Sequence, residues 1–294
     1  IERLDQARRI ITGPVIKSPE ELMEITLTDP KLTAFMQHLA ELENQKLAKI
    51  KKKARAYFQE IAADYNPWFV HLWDRLLQWV WQHIFEGISV DEGGIERLRQ
   101  VASQGNLVYV PCHKSHIDYL ILNHMLYQRN LHPPRIAAGK NLAFWPVGPI
   151  FRKSGAFFIR RRFHGAKLYA EVFATYLKTL LREGYNLEFF IEGGRSRTGK
   201  LVLPQLGLLQ MILRAYLEKA VSDLIFIPCF IGYDQVVEEK AYLTELKGNQ
   251  KQAESWTQLF RLHKLLQKRY GRVYIQFNEP IFLSRYLAAR GASG

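Results

Sequence analysis

The first 90 residues carry their apolar positions at helical spacing. Residues 39–63 repeat that spacing beside a cationic cluster of Lys46, Lys49, Lys51, Lys52, Lys53 and Arg55. Pro67 suits the first turn of a further helix. Its apolar face is Phe69, Leu72, Trp73, Leu76, Leu77, Val80 and Ile84, broadened by Trp68, Trp79 and Trp81, with Asp74, Arg75 and Gln78 polar. From about Gly94 the pattern alternates. Apolar runs at 107–112, 135–138, 156–160, 186–191, 224–231 and 273–277 read as strands. Amphipathic stretches at 94–103, 116–128, 166–183, 206–219 and 255–270 read as helices. The expectation is an N-terminal helical region over 1–90, followed over 91–294 by an α/β domain with a mixed, largely parallel sheet flanked by helices. Ligands of such sheets bind beyond the carboxyl ends of the strands. His113, Arg160 and Glu192 fall at or just past predicted strand ends, so one site can collect them.

Composition narrows the partner. The chain has 294 residues, 48% hydrophobic, with a formal net charge of +13, which calls for an anionic partner: nucleic acid, an anionic membrane surface or a phosphorylated substrate. No helix-turn-helix, RNA-binding signature or zinc module accompanies the charge, so nucleic acid is not expected. With only Cys112 and Cys229, no disulfide framework is implied, which suits a reducing compartment. There is no signal-peptide pattern, and no uninterrupted apolar run long enough to span a bilayer; Asp74 and Arg75 sit in the middle of the Trp-rich segment. Starting at Ile1 rather than Met, the sequence reads as a trimmed chain or a fragment. The two N-terminal amphipathic stretches fit either an anionic lipid surface or packing on the α/β domain.

The candidate chemistry starts at VPCHKSHIDYLIL, residues 110–122, where a strand ends in His113 and Asp118 opens the next helix. By chance alone, an H-x-x-x-x-D pair appears in roughly one of four chains of this composition, so the context has to carry it. A histidine oriented by a carboxylate is a general base for an alcohol attacking a thioester, and the carboxylate stabilises the imidazolium that forms. No G-x-S-x-G elbow is present. Cys112 is the rival, a nucleophile for an acyl-cysteine route, but neighbours on a strand point to opposite faces. No metal-ligand cluster has convincing spacing. GAFFIRRRF (155–163) ends a strand in Arg160, Arg161 and Arg162, groups suited either to bidentate phosphate binding or to a solvated strand end. FFIEGGRSRTGK (189–200) is a strand followed by a polar glycine loop in which Glu192 can accept a substrate hydroxyl and Arg195, Ser196 and Arg197 can meet phosphate. It lacks the nucleotide P-loop pattern. IFIPCFIGYD (225–234) reads as a core strand with a bulge or edge at Pro228.

Taken together, these four blocks resemble, in order and spacing, the motifs of the glycerolipid acyltransferases, and most closely the bacterial membrane-bound glycerol-3-phosphate type. His113 and Asp118 match the family's catalytic pair; Gly155, Phe158, Ile159 and Arg160 its second motif; Phe190, Glu192, Gly193, Arg195 and Ser196 its third; Pro228, in the acyl-donor site, its fourth. The similarity runs on through IAAGKNLAFWPVGPIFRKSGAFFIRR and KLYAEVF and covers roughly residues 106–283. The resemblance implies transfer of a fatty acyl group from acyl-CoA or acyl carrier protein, as co-substrate and without a cofactor, to the sn-1 hydroxyl of glycerol 3-phosphate. It places Glu192, Gly193 and Arg160, with Lys140 nearby, at the glycerol phosphate, and the protein peripherally on the cytoplasmic face of a bacterial inner membrane. Bacterial members continue with a large region of which little is present here. The alternatives are a dihydroxyacetone-phosphate acyltransferase, which shares the motifs, a lysophosphatidate acyltransferase, and a truncated, non-catalytic basic protein that binds anionic membrane lipid.

Overall fold

The computed structural model describes residues 13–161, 163, 165–196, 200, 202–237 and 268–291. The chain opens with four helices: α1 (Pro19–Leu27), α2 (Pro30–Leu42), α3 (Leu47–Ile61) and α4 (Pro67–Ile84). Three of them begin in the same way, with a capping side chain followed by proline: Ser18-Pro19, Asp29-Pro30 and Asn66-Pro67. The cap oxygen takes one of the amides that a first turn leaves unpaired, and proline lacks an amide that would have gone unpaired there. In α3, Ile50, Ala54, Phe58 and Ile61 are buried while Lys49, Lys51, Lys52 and Arg55 are exposed.

The expected helical region ends early. Gly87–Val90 is a strand, β1, pairing in parallel with β7 (Arg272–Phe277). After α5 (Glu92–Val101) the elements alternate as β2 (Asn106–Pro111), α6 (Asp118–Gln128), β3 (Arg135–Gly139), α7 (Val147–Lys153), β4 (Ala156–Ile159), α8 (Lys167–Arg182), β5 (Leu187–Glu188), α9 (Leu206–Leu217) and β6 (Leu224–Tyr233). The strand β8 (Ile281–Phe282) and helix α10 (Leu283–Ala288) follow β7. The sheet order is β1-β7-β6-β2-β5-β3-β4, with β8 on β6. Among the described residues only the β6–β7 and β6–β8 pairings are antiparallel, so the sheet is mixed and mostly parallel, as the pattern predicts. The strand expected at 186–191 shrinks to Leu187–Glu188, because after the Phe189 amide bonds to the Tyr109 carbonyl the chain turns, Gly193 N donating to Phe190 O. The helix expected at 255–270 lies largely outside the described residues.

Alternation along the strands sets core residues on both faces of the sheet, with a smaller cluster of Tyr119, Ile136, Ala138, Ala156 and Phe158 beside them. Val108, Phe157 and Leu187 pack with α8, α9 and the N-terminal helices α1–α3. Leu107, Tyr109, Ile227 and Ile275 pack with α4, α5 and α6. The N-terminal helices therefore share a core with the sheet: Phe58 meets Tyr176 edge-on at 5.3 Å and the Tyr176 hydroxyl accepts from Ala63 N.

Pro228 lies in an interior strand, not at an edge or a bulge. On one side of β6, β8 pairs at Ile225 and Phe226 and β7 from Cys229 onward. Pro228 falls in the gap between them, its carbonyl accepting from Asn278 N at 3.0 Å, so the missing amide costs no bond to β7 or β8.

The buried stripe of α4 keeps only part of the apolar face that its spacing suggests: Leu77 and Ile84 are buried and Phe69, Trp73 and Val80 half-buried, but Leu72 and Leu76 turn outward. Asp74, Leu77, Trp81 and Ile84 are buried, whereas Trp68, Leu72, Leu76 and Trp79 are exposed. Asp74 tips the helix this way, because its carboxylate takes His124 Nδ1 at 2.5 Å and the Gln128 amide, both on α6. We therefore expect Asp74→Ala, which strands the buried His124, to cost on the order of 1–3 kcal/mol in urea denaturation, and Leu76→Ser to cost less than about 0.5 kcal/mol.

Candidate active site

The parallel strands set the site, since their carboxyl ends share one edge of the sheet. Passing from β2 through β5 and β3 to β4, the chain leaves that edge at His113, at the loop holding Glu192, at Lys140 and at Arg160. Lys140 and Arg160 directly follow Gly139 and Ile159, which are register partners.

His113 is held on every side. Its Nδ1 lies 3.0 Å from Asp118 Oδ2. A carboxylate only accepts, so Nδ1 carries the proton and Nε2 the lone pair. The same Oδ2 accepts from Lys114 N at 2.7 Å and Ser115 N at 2.9 Å, and Oδ1 accepts from the Tyr233 hydroxyl at 2.5 Å. Asp118 has no solvent exposure and sits in the first turn of α6, where the helix dipole favours negative charge. The imidazole stacks on Phe190 at 3.9 Å. The backbone on both sides of the ring is clipped to the 189–196 loop: His113 N donates to Glu192 Oε1 at 3.1 Å, and Ser196 N donates to His113 O at 2.7 Å.

Behind this pair, Glu188 is fully buried and its Oε2 accepts from Asn123 Nδ2 at 2.7 Å. Burial, reinforced by the Asp118 charge, pushes its carboxyl well above the usual range. Both effects disfavour a second negative charge beside Asp118.

The loop residues divide by role. Glu192 spends its two oxygens on the amides of His113 and Val202, so in this structure it ties the loop to β2. Ser196 closes the loop, its hydroxyl donating to the Lys200 carbonyl. Gly193 has φ +63°, and a Cβ there would stand 2.7 Å from Gln205 Cγ, so no larger residue fits without strain. Arg195 is half-buried in the same loop; Arg197 lies outside the described residues.

Lys140 and Arg160 come together on a residue that the sequence pattern does not single out. Glu60, near the end of α3, accepts Arg160 Nε at 2.6 Å and Nη2 at 2.7 Å, and its Oε2 lies 2.9 Å from Lys140 Nζ. The hydrogen bond from Arg160 holds the Glu60 carboxyl below the usual range despite partial burial. Tyr57 and Tyr169 flank the guanidinium, at 5.1 and 4.3 Å from their ring centroids.

Residues 90–232 match the acyltransferase family, and residues 242–293 match the glycerol-3-phosphate acyltransferase C-terminal region. Relatives named glycerol-3-phosphate acyltransferase are 43% identical over 281 residues in Shewanella loihica and 43% over 277 residues in Aeromonas hydrophila. Residues 90–232 thus form a domain of the acyltransferase family. The alignments cover 95% and 94% of this chain and 34% of each relative, so the chain spans about a third of the length of the acyltransferases it matches. Among solved structures, a 1-acyl-sn-glycerophosphate acyltransferase from Thermotoga maritima is similar at a TM-score of 0.44 and 15% identity, over 89% of this chain and 93% of that one.

Tyr233, Phe190 and Glu60 complete the candidate site. Phe190 stands inside a recognised motif, but its stacking on His113 is not legible there. Tyr233 and Glu60 come from elements 115 and 100 positions away from the groups they bind, and no local spacing points to them.

Cys112 faces away from His113, its sulfur 3.3 Å from Ile231 N. Burial pushes its thiol up. Because a raised thiol pKa delays the reactive thiolate to higher pH, iodoacetamide labelling of Cys112 followed by peptide mass mapping should rise with a midpoint above that of a free thiol. Ready labelling at neutral pH would contradict this geometry.

Proposed function

We propose that this chain is the catalytic part of a glycerol-3-phosphate 1-O-acyltransferase, transferring a fatty acyl group from acyl-CoA or acyl carrier protein to the sn-1 hydroxyl of sn-glycerol 3-phosphate. One observation carries the reading: His113 Nδ1 rests on a buried carboxylate at 3.0 Å, which leaves Nε2 as the basic nitrogen. Nε2 takes the proton of the acceptor hydroxyl as its oxygen attacks the thioester carbonyl. Asp118 balances the imidazolium. The tetrahedral intermediate collapses with cleavage of the C–S bond, and the imidazolium returns its proton to the departing thiolate. The products are 1-acyl-sn-glycerol 3-phosphate and a free thiol, and no cofactor takes part. Arg160, Lys140 and Arg195 supply cations for the phosphate; Ser196, Glu192 and Gly193 shape the loop beside it, and Pro228 lies on the strand at the acyl-donor side. The turned-away, protonated thiol of Cys112 favours direct attack over an acyl-cysteine route.

The assay is thioester-dependent acylation of radiolabelled glycerol 3-phosphate in lipid vesicles. We expect His113→Ala and Asp118→Asn to lower kcat by about 10²–10⁴-fold with the fold retained by circular dichroism. Near-normal rates in either variant would overturn the mechanism. Preference for dihydroxyacetone phosphate in competition would overturn the acceptor.

The proposed location is peripheral, on the cytoplasmic face of a bacterial inner membrane. No helix among the described residues is long and apolar enough to cross a membrane. Support comes from α4, whose exposed Trp68 (84%) and Leu72 (68%), with Leu76 and Trp79, form an apolar surface suited to the headgroup boundary, and from the exposed cations of α3. Vesicle flotation should strengthen with anionic lipid content and weaken for Trp68→Ser/Leu72→Ser. Binding indifferent to both would remove the lipid surface as a partner.

A further inference from the structure

We infer that Glu60 is a positioning residue for the acceptor's phosphate group, so that the N-terminal helices complete the substrate site and are not merely packed against it. The inference rests on the glycerol 3-phosphate reading above.

Two cations brought to one carboxylate repel each other. Strand register sets Arg160 and Lys140 at neighbouring positions, but both side chains are long and flexible, so without Glu60 their charged ends repel and point apart. Glu60 removes that repulsion. Its two oxygens take the guanidinium side-on, the geometry that fixes a planar fork most fully, and the second oxygen also takes the ammonium. The rings of Tyr57 and Tyr169 limit where the guanidinium can move.

The charge balance suits a phosphate. One carboxylate against two cations leaves a net positive charge. The second Nη group of Arg160 and the remaining ammonium protons of Lys140 make no bond among the described residues. Both side chains keep solvent access, 29% for Arg160 and 47% for Lys140, so an incoming anion can reach them.

Glu60 is itself anchored and does not behave as a loose counter-ion. The Arg152 guanidinium grips the carbonyls of Glu60 and Ala62. Directly after them, Asp64 N and Asn66 N bond to the carbonyls of Arg152 and Lys153, and Ala63 N to the Tyr176 hydroxyl. A carboxylate whose backbone is tied this way stays when the anion arrives. It orients the cations for phosphate instead of giving way to it.

The test compares wild type with Glu60→Gln and Glu60→Ala. The readouts are steady-state acylation, calorimetric titration with glycerol 3-phosphate and thermal melting. We expect the KM and Kd for glycerol 3-phosphate to rise roughly tenfold in Glu60→Ala, and less in the isosteric Glu60→Gln, with kcat, the acyl-donor KM and the melting temperature nearly unchanged. An unmoved KM and Kd, with or without a fall in melting temperature, would make Glu60 a structural ion pair only and overturn the inference. A lower KM would also overturn it, by showing that the carboxylate competes with phosphate. If wild type binds but does not turn over, the Kd decides. Wild type that binds no glycerol 3-phosphate overturns the functional reading itself, an outcome distinct from failure of the Glu60 role.

Discussion

A carboxylate with no access to water must be satisfied by protein donors, and at Asp118 this requirement organises the site. Desolvating an ionised carboxylate costs several kcal/mol unless hydrogen bonds replace the lost water. Four donors do so here: the His113 ring, two successive backbone amides and the Tyr233 hydroxyl. They come from the end of β2, the turn after it and the end of β6. The register of β6 on β2 is thus tied to the orientation of the imidazole, and a shift of either strand would leave buried charge unpaired.

The same economy of buried charge explains the neighbours of the pair. Glu188 stands behind Asp118, and burial raises its carboxyl pKa, which disfavours two adjacent negative charges in a dry interior. The 189–196 loop adds rigidity of another kind. It stacks Phe190 on the imidazole and clips the His113 backbone from both sides, so the ring is fixed by its main chain as well as by its acid partner. A ring held this way keeps little conformational freedom to lose on binding.

The N-terminal helices belong to the same physical unit as the sheet. Their buried residues lie in one core with α8, and the end of α3 is tied to α7 by Arg152. Glu60 therefore reaches the carboxyl edge of the sheet as a consequence of how α3 packs. On the other side of the sheet, Asp74 spends a buried carboxylate on α6 and so turns several large apolar residues of α4 outward.

Much of this was legible in the chain alone. The shift from helical spacing to alternating strands and helices predicts the α/β class, because burial on one face imposes a period that each element must obey. His113, Asp118, Arg160 and the glycine loop were legible because local chemistry at strand ends has short spacing. The helical reading through residue 90 failed at Gly87–Val90, where pairing with a distant strand overrides local pattern, and the bulge or edge expected at Pro228 proved to be an interior position opposite a gap between two partners. The face of α4 was legible at Leu77 and Ile84 but not at Leu72 and Leu76, which turn outward while Asp74 is buried against α6. Tyr233 on Asp118, and Glu60 on Arg160 and Lys140, were decided only by tertiary structure. These contacts join residues far apart in sequence, and hydrogen-bond partners at that separation are chosen by strand register and helix packing, which no local periodicity encodes.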